Sequence, residues 1–211
     1  MVEMLNDWRA VQRPLIAILR GIRPDEILAV AHALHDAGFQ AIEVPLNSPD
    51  AFESISRLQQ EFDGRCLCGA GTVLNVAEVD RLVATGARLC VSPNMDSDVI
   101  RKAVANSLIS LPGVFTATEA LAAVKDGATA LKFFPASVLG PAGMKAVSAV
   151  LPPDTQLIAV GGVGETDFAA YAASGIRAFG LGSSLYRPGD DAGSVGQRAE
   201  RTIAAWDEVF G

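Results

Sequence analysis

The sequence predicts a single (β/α)8 TIM barrel preceded by an extra N-terminal helix. Three observations point there. Eight short apolar runs recur at intervals of roughly 20 to 27 residues, each followed by a stretch of helical periodicity. The runs are apolar throughout rather than alternating, as parallel strands covered on both faces should be. The units are evenly spaced, and no linker or composition break divides residues 1–211 into more than one domain. A doubly wound open sheet is the alternative. It is disfavoured because the first turn lacks a G-x-G-x-x-G and because even spacing favours closure.

Taken in order, residues 2–12 read as the extra amphipathic helix. The strand runs are 14–19, 41–46, 66–70, 89–92, 108–111, 130–134, 157–160 and 178–181. Start signals mark several of the helices between them. Pro24-Asp25-Glu26 opens the first, Ser48-Pro49-Asp50 the second and Asp96 the fourth, while Thr116 with Glu119 forms a capping box for the fifth. Gly38, Gly86, Gly127 and Gly175 are expected to close helices, within a recurring Ala-Gly-Phe, Thr-Gly-Ala, Asp-Gly-Ala, Ser-Gly-Ile quasi-repeat.

Composition narrows the function. Half the residues are hydrophobic and 19% are charged, which excludes a disordered chain. A net charge of -7 and a pI near 4.8 argue against a nucleic-acid partner. A small anionic ligand remains compatible, because a local pocket can be positive on an acidic protein. No apolar stretch reaches the length of a membrane helix, and the N-terminus lacks the basic and apolar regions of a signal peptide. A cytoplasmic protein with no membrane partner is the expectation. The odd number of cysteines (Cys66, Cys68 and Cys90) falls in or beside predicted strands and reads as small buried hydrophobes. With no matching second pair, they do not suggest a metal site.

A barrel carries its chemistry at the C-terminal ends of its strands, so polar residues inside the apolar runs are the informative ones. Lys132 lies in Ala-Leu-Lys-Phe-Phe-Pro and should point into the barrel. Burial would lower its pKa and make a nucleophilic amine. The plainer reading is a lysine paired with a carboxylate or snorkelling to the barrel end. Glu43, in Ala-Ile-Glu-Val-Pro, is either the acid/base such a lysine requires or its ion-pair partner. Arg20 ends the first run, where a guanidinium suits a carboxylate or a phosphate, or simply a rim ion pair. Thr72 follows the third run, whose glycines would let a ligand approach the backbone. Pro93, and Pro112 with Gly113, follow the fourth and fifth runs and also fit plain turns. Gly161, Gly162, Gly182 and Ser183 follow the last two runs, where backbone N–H groups can converge on a phosphate. His32 and His35 sit on the first helix as packing or surface residues. With no other histidine in the chain, a histidine base or triad is disfavoured, which leaves lysine covalent catalysis.

Nearly the whole chain resembles the class I 2-keto-3-deoxy-6-phosphogluconate aldolase family. The match is carried by Leu-Ile-Ala-Ile-Leu-Arg-Gly at 15–21, Ile-Glu-Val-Pro-Leu-Asn-Ser-Pro at 42–49, Gly-Ala-Gly-Thr-Val-Leu at 69–74 and Ser-Pro-Asn at 92–94. It continues in Leu-Lys-Phe-Phe-Pro at 131–135, Ala-Val-Gly-Gly-Val at 159–163 and Gly-Leu-Gly-Ser-Ser-Leu-Tyr-Arg at 180–187. The resemblance implies Lys132 as the Schiff-base lysine and Glu43 as the acid/base. It implies Arg20, Thr72 and Pro93 at the pyruvate end, Phe134 as an aromatic wall, and Gly161, Gly162 and Ser183 at the phosphate. It further implies a homotrimer without cofactor or metal, acting on a phosphorylated 2-keto-3-deoxy sugar acid to release pyruvate.

Two positions favour the branch acting on the galactonate epimer. Asn47 stands where gluconate-type members usually carry arginine, and Val160 stands where they tend to carry threonine. Loss of a hydroxyl near C4 should change the preference between C4 epimers. Ser184 departs from this branch, which often has aspartate there. The competing readings are the same chemistry on the gluconate epimer or a 4-hydroxy-2-oxo acid, a non-covalent phosphosugar isomerase using Glu43 as base, and a phosphate-ligand sensor.

Overall fold

In the computed structural model, which describes residues 7–211, the predicted alternation is realised as a ring of parallel strands inside a layer of helices. The chain runs β1 (Leu15–Ile18), α1 (Ile27–Ala37), β2 (Ala41–Pro45), α2 (Ala51–Phe62), β3 (Leu67–Gly71), α3 (Val76–Ala84), β4 (Leu89–Val91) and α4 (Ser97–Ala105). It continues with β5 (Ile109–Leu111), β6 (Gly113–Val114), α5 (Ala117–Lys125), β7 (Leu131–Phe133), α6 (Ala136–Ser148), β8 (Leu157–Val160), α7 (Phe168–Ala172), β9 (Ala178–Leu181) and α8 (Ala192–Phe210).

The helix signals act as their chemistry requires. The Asp96 carboxylate accepts from the N–H groups of Asp98 and Val99, and Thr116 and Glu119 form the reciprocal capping box of α5. Gly38, Gly86, Gly127 and Gly175 all adopt positive φ at or just after helix ends. The three cysteines are buried free thiols. Both histidine rings of α1 pack against Phe62 of α2, with ring centroids 4.9 and 5.4 Å away.

The strand order is β5-β4-β3-β2-β1-β9-β8-β7-β6, parallel throughout. Its two ends, β5 and β6, are consecutive in the chain and separated only by Pro112. They are one strand interrupted by a residue with no N–H to give. The Pro112 carbonyl still accepts from the Lys132 N–H at 3.0 Å, and the Ser110 carbonyl accepts from Thr129 at 2.9 Å, so the wall closes across the break. Closure excludes the open-sheet alternative. The expected fifth strand, 108–111, therefore extends through Val114, and Pro112 and Gly113 belong to the wall rather than to a turn beyond it.

The interior follows from strand parity. Ile16, Ala41, Leu67, Leu89, Val91, Ile109, Leu111, Ala130, Ile158, Val160 and Ala178 form one buried apolar cluster, distinct from the larger cluster between strands and helices. Trp8 and Val11 join the inner cluster and plug the N-terminal end of the barrel. The described part of the expected N-terminal helix is only a short 3-10 turn, Trp8–Ala10, capped by Asp7; the rest of that expectation lies outside the described residues. Pro14 disfavours helix at the residue before it, and the chain must already turn into β1. Among the described residues, no helix is long and apolar enough to cross a membrane.

Candidate active site

The same parity that points apolar residues inward also points Glu43 and Lys132 inward. Glu43 sits two residues after Ala41 on β2, and Lys132 two residues after Ala130 at β7. In register, Glu43 lies between Ile18 and Gly69, and Lys132 between Gly113 and Ile158. Both line a cavity of about 710 Å³ at the C-terminal end of the barrel. Glu43 is 3% and Lys132 7% exposed, deep enough for burial to dominate their ionisation.

Burial raises the Glu43 carboxyl to about 7, against the opposing pull of Lys132 and Arg20. Burial also lowers the Lys132 ammonium to about 8, with Glu43 resisting and Arg20 assisting. The Glu43 Oε2 atom is buried without a hydrogen-bond partner. Lys132 Nζ lies 5.0 Å from the centroid of the Phe134 ring, over its face. An amine and a carboxyl that both titrate near neutrality in one pocket can exchange protons at little cost, and the neutral amine can attack a carbonyl.

Arg20, Thr72, Pro93, Phe134, Val160, Gly161, Gly162, Gly182 and Ser183 line the same cavity. Thr72 holds a φ of 58°, uncommon for a β-branched residue. Gly161 and Gly162 hold φ of 93° and 71°, which favours glycine at both. A Cβ on Gly161 would also fall 2.9 Å from the Phe134 ring, and one on Gly162 would overlap the Ser137 hydroxyl. Among the described residues, no backbone hydrogen bond occupies the N–H groups of Gly161, Gly162, Ser183 or Ser184. The Ser184 hydroxyl donates to the Val163 carbonyl at 3.4 Å, a weak tie between the two glycine-rich loops.

Two expectations change. Asn47 is exposed and outside the cavity lining; its Oδ1 accepts from Arg20 Nη1 at 2.6 Å, so it reaches the site through that guanidinium. The glycines of β3 leave room for protein rather than for a ligand. A Cβ on Gly69 would strike the Leu89 backbone, and one on Gly71 would strike the Glu43 carboxylate. Five lining residues were not singled out from the sequence: Ile18, Gly164, Thr166, Asp167 and Arg187. Asp167 accepts from the Gly164 N–H at 2.8 Å and shapes the loop after β8. Arg187 donates to the Ser183 carbonyl at 3.1 Å. Its place at the end of the 180–187 motif was the available signal. Thr166 and Asp167 offered none beyond an ordinary helix start.

The family model for KDPG and KHG aldolase matches residues 7–193. The chain belongs to the KDPG and KHG aldolase family. Among its relatives, a protein of Rhizobium meliloti named as a probable 2-dehydro-3-deoxy-6-phosphogalactonate aldolase is 59% identical, over 95% of each chain. A 2-dehydro-3-deoxy-6-phosphogalactonate aldolase of Escherichia coli is 48% identical, over 93% of this chain and 96% of that one. A solved structure described as native KDPGal superposes with a TM-score of 0.92 at 47% identity, covering 94% of this chain and 96% of the other. The aldolase family thus accounts for the fold and for nearly the whole length of the chain.

Proposed function

We propose that this protein is a class I aldolase that cleaves 2-dehydro-3-deoxy-6-phospho-D-galactonate to pyruvate and D-glyceraldehyde 3-phosphate. The observation that carries this reading is an inward lysine and an inward, unpartnered glutamate sharing one buried cavity in a chain of this family. Neutral Lys132 attacks the C2 ketone, and the carbinolamine loses water to give an iminium. Glu43 carries the protons: it delivers one to the departing hydroxyl and removes one from the C4 hydroxyl. The C3–C4 electron pair flows into the iminium, the aldehyde leaves, and the resulting enamine is protonated at C3 before hydrolysis frees pyruvate and the amine. Arg20 and Thr72 receive the carboxylate, with Pro93 and Phe134 walling the pyruvate end. Gly161, Gly162, Gly182 and Ser183 receive the phosphate. Asn47, by holding Arg20, and Val160, by presenting an isopropyl group near C4, favour the galactonate epimer. We also infer a one-domain homotrimer working in the cytoplasm in galactonate breakdown, without a cofactor; the family resemblance supports each of these.

The test is pyruvate release from the two C4-epimeric substrates side by side, read with lactate dehydrogenase in the presence of EDTA. Faster release from the galactonate epimer is expected. Gluconate preference would overturn the reading of Asn47 and Val160. No pyruvate from either epimer, together with no borohydride-stable pyruvate adduct on Lys132, would overturn the Schiff-base reading itself.

A further inference from the structure

Glu43 presents a physical problem that the aldolase reading leaves open. Its carboxylate is buried, Oε2 lacks any hydrogen-bond partner, and yet it must hold one place well enough to serve Lys132. Buried carboxylates are ordinarily fixed by donors. What confines this one is the strand beside it. Gly71 ends β3 two residues beyond Gly69, the register partner of Glu43, and its missing side chain would point to the same inner face. A Cβ built there would overlap Oε2, Cδ and Oε1 of Glu43 together. Gly71 does not have the positive φ that would call for glycine on conformational grounds, so what the position requires is space.

We propose that Gly71 is a positioning residue for the acid/base: its bare backbone is the floor on which the Glu43 carboxylate lies. This inference rests on the aldolase reading and adds a requirement to it. A carboxylate held by a floor rather than by donors stays aimed into the cavity while remaining free to pivot. It can then reach the atoms at which protons are gained and lost, whereas one held by two N–H groups would be locked to one of them. A methyl group at 71 would push the carboxylate off this floor while leaving the Lys132 amine where it is.

The experiment compares Gly71→Ala, Glu43→Asp and the double variant with the unaltered chain, with folding of each checked by circular dichroism. Three readouts are taken. Endpoint borohydride trapping with pyruvate reports Lys132, solvent-deuterium exchange into the pyruvate methyl reports proton transfer at C3, and kcat and KM report cleavage. Gly71→Ala should still be trapped to completion, with exchange and kcat both reduced about 100-fold, the lower end of general acid–base contributions, and KM changed little. In the Glu43→Asp background the shorter side chain clears the methyl group, so adding Gly71→Ala should lower exchange less than 3-fold, a strong coupling between the two positions. Folding of the double variant where Gly71→Ala alone fails to fold would also support the floor. Exchange at the unaltered rate in Gly71→Ala, equal losses in both backgrounds, or failure of both variants to fold would each overturn it. Absence of trapping in the unaltered chain would instead signal failure of the aldolase reading.

Discussion

Replacing Glu43 by glutamine tests the electrostatics of the site directly. Burial and Arg20 both push the Lys132 ammonium down, and Glu43 is the group that holds it up. With the amine at about 8, the neutral fraction at pH 7 is roughly 9%, against roughly 0.03% for an ordinary lysine at 10.5. Burial thus supplies about 300-fold more nucleophile at neutral pH than an exposed lysine would have. The assay is the rate of inactivation by pyruvate with cyanoborohydride, followed by mass spectrometry of Lys132 across pH 6 to 10 (about the span over which the amine titrates). In the unaltered chain the rate should rise with pH and level off around a midpoint near 8. In Glu43→Gln the midpoint should move lower, because the one charge favouring the ammonium is gone. The plateau should fall at the same time, because the proton carrier is gone too. A midpoint near that of an ordinary lysine in the unaltered chain would show that Lys132 is not desolvated as described. An upward shift in Glu43→Gln would refute the assignment of Glu43 as the group that stabilises the charged amine.

Two further outcomes are expected. Gly162→Ala combines an unfavourable φ of 71° with a methyl group placed against Ser137. It should raise KM for the phosphorylated substrate at least about 10-fold, the loss of one good anion contact, with pyruvate trapping on Lys132 unchanged; a matching loss in trapping would count against a phosphate-specific role. The pair Glu43→Gln with Lys132→Met should raise stability to urea at pH 7.5 by on the order of a few kcal/mol, since a raised carboxyl and a lowered ammonium both disfavour the folded state near neutrality. The sign fixes the window: the Glu43 penalty grows from pH 4.5 to 7 and the Lys132 penalty fades from pH 8 to 10.5, so a gain that persists undiminished at pH 4 would contradict it.

How far the sequence could be read depended on whether a residue's role is set by its own strand or by its neighbour. Lys132 and Glu43 were legible because each interrupts an apolar run at an inward position, and parity along a strand is a one-dimensional property. The capping residues Asp96 and Thr116 were legible for the same reason, since a cap acts within three residues of itself. Gly71 was visible as a glycine, but its purpose depended on the offset between β2 and β3, which no local pattern encodes. Asn47 was singled out as a position that distinguishes the two branches, while its partner is Arg20, 27 residues away on another loop. Pro112 looked like the end of a strand because proline cannot donate to a ladder, but its carbonyl accepts and the strand resumes. The Trp8 plug depended on the barrel's end being open to receive it.

The apolar runs that make the barrel recognisable also make the site reactive. Below and beside the pair, Ile16, Leu67, Leu89, Ile109 and Ile158 fill the interior with side chains that offer no polar atom. A lysine and a glutamate set among and above these side chains, Lys132 in register with Ile158, cannot be solvated from that side. Arg20 and Asn47 at the rim are exposed and bonded to each other, and Arg20 acts on both groups less than burial does. The desolvation that moves both ionisations toward neutrality is therefore a property of the packed interior rather than of any one neighbour. An inner-layer substitution that admits water, Ile158→Ser for instance, should return the Lys132 trapping midpoint toward that of an ordinary lysine without touching the cavity's polar residues. A midpoint unmoved by it would place the source of the shift in Arg20 and Phe134 instead.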